Sequence, residues 1–274
     1  RQYYLREGAN VADIQVNLVD KHYRERKSHD VARAVRGPLH EIAERFDANV
    51  KVVEVPPGPP VMSPLVAEIY GLDYDGQIEV AKQIRAFFEK TDGVVDVDDS
   101  VEEPSERLIV HVDRQKAAVL GVSQQSITAA INTILNGEDM GFLHGEDIKS
   151  AIPIRVEYPV ELKSTLADLF ALKVRSQSGA LIPISELVEV ERTTRERSIY
   201  HKNLLPVVMV TGDMAGELDS PLYGMFEIFF GIQDSEVFGD DFRQYLIAPP
   251  ENPDNFGMKW DGEWQVTYET FRDM

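Results

Sequence analysis

The sequence predicts an α+β fold: two split β-α-β units, with a β-rich module inserted into the second. Three observations carry that reading. A strand–helix–strand pattern occurs twice, the proline-rich stretch VPPGPPVMSP joins the two copies, and a β-rich run then precedes one strongly apolar strand, LPVVMVT. The resulting boundaries are 1–60 for the first unit, which C-terminal residues complete, 61–112 with 200–274 for the second, and 113–199 for the insert.

In the first unit, Val11 to Val19 alternates as a strand does, with Ala12, Ile14, Val16 and Leu18 on one side. Ser28 is placed to cap a helix whose Val31, Val35, Leu39, Ile42 and Phe46 recur on one face. Pro38 lacks an amide donor, so a kink or break is expected near Gly37. Val50 to Val55 closes the unit as a second strand, and Pro56 to Pro64 forms a stiff connector.

Beyond the connector the pattern restarts. Leu65 to Tyr70 reads as a strand, Gln77 to Lys90 as a helix with Ala81, Ile84 and Phe88 inward, and Val94 to Val97 as a strand. Two strands are too few to cover one helix face, so Leu205 to Val210 is expected to return beside Leu65 to Tyr70.

The stretch Leu108 to Leu135 leads into the insert. Leu108, Val110 and Val112 alternate along a strand, and Asp113 is placed to accept from the first amides of a short helix, Arg114 to Leu120. Gly121 suits the left-handed stop, and Ser123 caps a second helix with Ile127, Ile131 and Ile134 on its apolar face. Gly137 to Gly145 reads as a glycine-rich loop. Strands come next at Ile152 to Tyr158, Leu172 to Arg175 and Leu181 to Ile184, with a short helix at Thr165 to Phe170. Glu217 to Phe230 reads as helical, and Phe238 to Phe256 as loop.

Composition narrows the function. Lysine and arginine number 28 against 47 acidic residues, a formal charge of −19, so polyanions such as nucleic acid are repelled. Cysteine is absent, which excludes disulfides, thiolate metal sites and cysteine nucleophiles. No apolar run approaches the roughly 18–20 residues of a membrane helix. The acids Asp96, Asp98, Asp99, Glu102 and Glu103 follow a strand, but Val101 stands where a calcium loop needs glycine, so they read as a solvated strand end. The six histidines have no zinc spacing, GVSQQ is no nucleophile elbow, and the glycines of 137–145 match neither phosphate-loop nor dinucleotide spacing. The seven methionines are dispersed along the chain. No catalytic constellation emerges, and neither a cofactor nor a metal site is expected.

Several segments resemble, in order, the extramembrane region of resistance-nodulation-division (RND) efflux transporters. They are VDR with KAA-x-LGVS, MSPLVAEIYG, DGVVDV, IPIRVEYP, SGALIPISELVEVE, LLPVVMVTGDM and KWDGEWQVTYETFRDM. The resemblance implies two porter subdomains and an inserted docking domain, on the periplasmic face of a bacterial inner membrane. It implies a proton-driven multidrug pump working as a homotrimer by alternating access, with a periplasmic adaptor and an outer-membrane channel as partners. The last segment resembles the approach to a membrane helix, so the natural chain is expected to continue into an apolar helix of about 20 residues.

The heavy-metal branch is the alternative. A methionine ligand of that branch would fall near Pro56, which argues for organic substrates. An adaptor or scaffold domain that moves no solute is the alternative from a different class. If the two units flank a cleft, Val66, Glu68 and Tyr70 share the strand face that lines it and suit amphiphilic or cationic molecules.

Overall fold

The structure, a computed structural model, describes residues 10–54, 61–145, 149–163, 165–215, 220–239, 241–251 and 254–274. In chain order, helix α1 spans Ser28–Glu44, strand β1 Leu65–Tyr70, α2 Tyr74–Lys90, β2 Val94–Asp99 and β3 Glu106–Val112. Next come α3 (Arg114–Val119), α4 (Gln124–Asn136), β4 (Glu138–Leu143), β5 (Ile152–Val156), α5 (Val160–Lys163) and α6 (Leu166–Phe170). The chain continues through β6 (Lys173–Arg175), β7 (Leu181–Pro183), β8 (Val188–Thr194), β9 (Tyr200–Lys202) and β10 (Leu205–Met214). It closes with α7 (Pro221–Gln233), β11 (Arg243–Tyr245), β12 (Gly257–Gly262) and α8 (Glu263–Asp273).

By contacts the chain forms two compact units, Arg1–Glu103 with Arg197–Met274, and Pro104–Glu196. The second unit starts and ends earlier than the insert read from the sequence, because β3 pairs along its whole length with β8.

The first unit is built on one sheet with the order β11-β12-β1-β10-β2, and β9 pairs with β10. The expected return of 205–210 is present: β10 lies antiparallel to β1, with Glu68 opposite Met209. Since β2 is antiparallel to β10 in turn, β1 and β2 run parallel with β10 between them, a split β-α-β. Asp73 caps α2 by accepting from the Gly76 amide at 3.0 Å. The helices α2 and α7 cover one face of the sheet through Ala81, Ile84, Phe88, Met225, Ile228 and Ile232. Trp260 of β12 stacks on Phe88 with ring centroids 5.9 Å apart.

Several expectations are corrected. Among the described residues, 11–19 and 50–54 form no strand; at 50–54 the Val52 amide bonds the Asp96 side chain and not a neighbouring backbone. The core of the connector, 55–60, lies outside the described residues. Ser28 is the first helical residue and not the cap; Asp30 instead accepts from the Lys27 amide at 3.0 Å. Helix α1 runs through Pro38 without a break, and Ala34, Gly37 and Pro38 are exposed, so the carbonyl that Pro38 leaves without a donor meets water. Its Val35 and Ile42, and Phe46 just beyond its end, are exposed, while Ala32 and Ala43 are buried.

In the second unit Asp113 accepts from the Gln115 and Lys116 amides at 3.0 and 2.9 Å, and Ser123 accepts from Ser126 at 3.1 Å. Gly121 takes φ +68° at the stop between the two helices. Ala117, Val122, Ile127, Val174, Ile184 and Leu187 form its core. The loop expected at 137–145 is largely strand: β4 pairs with β5, and a register shift between Asp139 and Gly141 absorbs the extra residue.

The acidic segment expected as loop adds an edge to the main sheet. Within it β11 runs parallel to β12, Phe238 stacks on Phe242 with centroids 4.4 Å apart, and Gln244 donates to the Phe229 carbonyl at 2.9 Å. The indoles of Trp260 and Trp264 donate to Gln244 and to the Leu246 carbonyl at 3.2 and 2.6 Å.

Candidate functional site

Strand alternation divides β1 between two chemistries. Leu65, Ala67 and Ile69 enter the apolar core beneath α2 and α7. Val66, Glu68 and Tyr70 point to the opposite face, where their neighbours in register are Asp261, Lys259 and Gly257 on β12 and Thr211, Met209 and Val207 on β10. That face is rich in carboxylates. It carries Glu68, Asp261, Asp213, Asp96 and Asp98, interleaved with lysine and arginine.

Glu68 is fully buried and its carboxylate is the hub of one cluster. Tyr70 donates its hydroxyl to Glu68 Oε2 at 2.9 Å, and Lys259 Nζ lies 3.4 Å from the same oxygen. Lys202, from the short edge strand β9, donates to both Glu68 Oε1 and Asp261 Oδ2. Burial pushes the Glu68 carboxyl up, and the adjoining Asp261 pushes it further. Asp261 is also raised by burial, but hydrogen bonds from Glu68 and Lys202 outweigh this and hold it below its ordinary value. Burial opposes the charge on Lys202, yet its bonds to Asp261 and Glu68 hold its ammonium above the usual range. The Tyr70 phenol is pushed well up, first by burial and then by the Glu68 charge.

A second cluster sits where β2 meets α1. Asp96 accepts from the Arg36 guanidinium and, at 3.1 Å, from the Val52 amide; Asp98 accepts from Lys51. Asp213 on β10 faces the same group, and burial pushes its carboxyl up against the pull of the Met214 amide and Arg36. Glu263 is likewise raised by burial and then by Asp213.

Val66, Glu68 and Tyr70, picked from the sequence, do share a face, and it is not the face that packs on α2. All three are buried. Tyr70 packs with Val207 and Met209, and with Met62, Tyr200 and Leu205 at the margin. Sequence reasoning missed Lys202, Lys259 and Asp261; the signal was the alternation of Lys259 and Asp261 within KWDG. It also read Asp96 as solvated, whereas its side chain is 5% exposed and paired with Arg36. Among the described residues no three His, Cys, Asp or Glu side chains come together as a metal site. Among them, too, no helix is long and apolar enough to cross a membrane.

The sequence profile of the AcrB/AcrD/AcrF family matches residues 2–221, most of the chain. The chain belongs to this family of RND efflux transporters. Over 210 residues it is 24% identical to the cobalt-zinc-cadmium resistance protein CzcA of Cupriavidus metallidurans, covering 75% of this chain and 18% of that protein. The cation efflux system protein CzcA of an Alcaligenes species matches with the same figures. Among solved structures it resembles a heavy metal efflux pump in two crystal forms. One gives a TM-score of 0.54 at 17% identity, covering 91% of this chain and 24% of the pump. The other gives 0.52 at 19% identity, covering 76% and 20%. These structural likenesses bear on the fold alone: a mixed α/β chain folded like part of that pump. The chain spans less than a quarter of the length of these relatives.

Proposed function

We propose that the chain is the periplasmic porter and docking part of a proton-driven RND pump that exports a cationic solute by alternating access. Membership of the AcrB/AcrD/AcrF family supports the transport class. The observation that carries the solute class is the sheet face on which Glu68 and Asp261 hold the Lys202 ammonium, with Lys259 beside it. A surface that already accommodates ammonium groups against two carboxylates suits a cation that takes the place of one of them. Val66, Glu68 and Tyr70 are proposed to meet the solute, with Glu68 as the charge contact and Tyr70 and Val66 as apolar wall. They are buried in the arrangement described, so access requires that the face open, as alternating access supplies.

In this reading the units 1–60, 61–112 with 200–274, and 113–199 are two porter subdomains and a docking domain. The working assembly is a homotrimer at the inner membrane with an adaptor and an outer-membrane channel.

Two solute classes fit. An amphiphilic organic cation suits the mix of carboxylate, phenol and aliphatic surface. A heavy-metal cation is favoured by the relatives, which are named for cobalt, zinc and cadmium resistance and for cation efflux. Expression of the full-length protein in an efflux-deficient bacterium separates them. Raised tolerance to organic cations alone supports the first class, and raised tolerance to cobalt, zinc or cadmium alone supports the second. No change in tolerance to either class contradicts the transport reading.

A further inference from the structure

Within the first compact unit, α1 and residues 50–54 are tied to β2 by ion pairs and side-chain hydrogen bonds. Helix α1 turns Arg36 and His40 toward β2 and leaves Val35 and Ile42 exposed. Residues 50–54 make no ladder with β2. They are held by side chains instead, through the Val52 amide on Asp96 Oδ2 and the Lys51 ammonium on Asp98 Oδ2. Arg36 joins the two elements by donating to Asp96 and, at 3.3 Å, to the Val52 carbonyl. These ion pairs and the Val52 amide bond converge on two carboxylates two residues apart.

Asp96 also has a strained backbone. Its φ is +53°, in the left-handed region, where the β2–β10 register shifts between Thr211 and Asp213. Such a conformation persists when surrounding contacts hold it, and here those contacts are Arg36 and Val52. The contact is incompletely satisfied as well. Asp96 Oδ1 and Arg36 Nε are buried without hydrogen-bond partners, and His40 Nε2 stands 3.4 Å from Oδ1. A buried network left partly unsatisfied is a poor permanent weld and a good releasable one.

We propose that Asp96 and Asp98 form a two-point electrostatic latch that holds α1 and residues 50–54 against the sheet and releases them together. Release parts the Arg36–Asp96 and Lys51–Asp98 ion pairs and a few hydrogen bonds, and severs no strand ladder. The proposal deepens the alternating-access reading, on which it rests for the purpose of the motion alone.

Hydrogen exchange on the purified chain tests the latch without any transport assay. The variants are Asp96→Asn, which keeps a residue tolerant of the left-handed backbone, Lys51→Asp, Asp98→Lys, and the last two combined. Asp96→Asn, which trades a charge-assisted bond for a neutral one, is expected to speed exchange of the amides in α1 and 50–54 by about tenfold, and the two charge reversals, which set like charges together, by at least as much. Amides of β1, β10 and α2 should keep their wild-type rates, and the combined Lys51→Asp/Asp98→Lys variant should restore most of the protection. Unchanged exchange in α1 and 50–54 would overturn the latch. So would acceleration spread evenly over β1 and β10, or a combined variant no better protected than the singles. A chain that passes this test in a protein that exports nothing would retain the latch and lose the pump reading.

Discussion

Tyr70 donates its hydroxyl to the carboxylate of Glu68, two residues back on the same strand, at 2.9 Å. Neither side chain has solvent access, so Glu68 depends for its charge balance on Lys202 and Lys259. Lys202→Met should therefore destabilise the chain at neutral pH by about 1–2 kcal/mol. That is less than the roughly 3–5 kcal/mol of a fully buried pair, because the Lys202 side chain is 38% exposed and partly screened. Urea unfolding measures it, and a change under about 0.3 kcal/mol would show that Lys202 contributes nothing to the cluster.

The same cluster sets a pH dependence. Burial raises the Glu68 carboxyl in the folded state, so its contribution is present below the ordinary glutamate range and lost as pH rises through the folded value. Glu68→Gln removes that loss. Relative to wild type, the variant should gain stability between pH 5 and pH 8, read by urea unfolding at both. A gap that moves the other way would mean that Lys202 and Lys259 outweigh burial and Asp261 at Glu68.

Asp261 has the opposite sign. Its carboxyl is held low, so its contribution is present above the ordinary aspartate range of about 4 and lost as pH falls through the folded value. The cost of Asp261→Asn should be largest near neutrality and shrink below about pH 4. A cost constant from pH 3 to pH 7 would exclude the paired carboxylate.

Gly262 joins β12 to α8 at φ +77°, and an added Cβ would stand 2.5 Å from the Pro64 carbonyl oxygen and 2.7 Å from that of Ser63. Gly262→Ala should cost about 2 kcal/mol or more in stability and loosen the bond from the Glu263 amide to the Pro64 carbonyl, 3.0 Å long. A neutral effect on the unfolding midpoint would show that the backbone relaxes there.

Local chemistry was legible in the sequence at several single residues, though not at Ser28 or Pro38. Asp113, Gly121 and Ser123 do what their side chains or lack of one dictate, and β10 returns beside β1 because α2 needs the cover. The missing strands at 11–19 and 50–54 were not legible, because alternation shows what a strand requires and not whether a neighbour exists to pair with. The turned-out face of α1 was hidden for a related reason. Its orientation follows from Arg36 meeting Asp96, two residues 60 apart in the chain. The face shared by Val66, Glu68 and Tyr70 was readable from strand period alone. That Lys202 and Lys259 would seal it depends on the strands β9 and β12, which sequence separation conceals.

Whether the carboxylate face of the main sheet meets a cationic solute is read from export by a full-length transporter that carries this chain. Cells expressing wild type, Glu68→Gln or Tyr70→Phe at equal protein level are compared for accumulation of a fluorescent organic cation, a neutral dye, and zinc or cadmium. Glu68→Gln should raise accumulation of the exported cation by about fivefold, the equivalent of one lost charge contact of about 1 kcal/mol, and leave the neutral dye unchanged. Tyr70→Phe should give a smaller change of the same kind. Wild-type accumulation of every cation in both variants would contradict the claim and place the solute elsewhere.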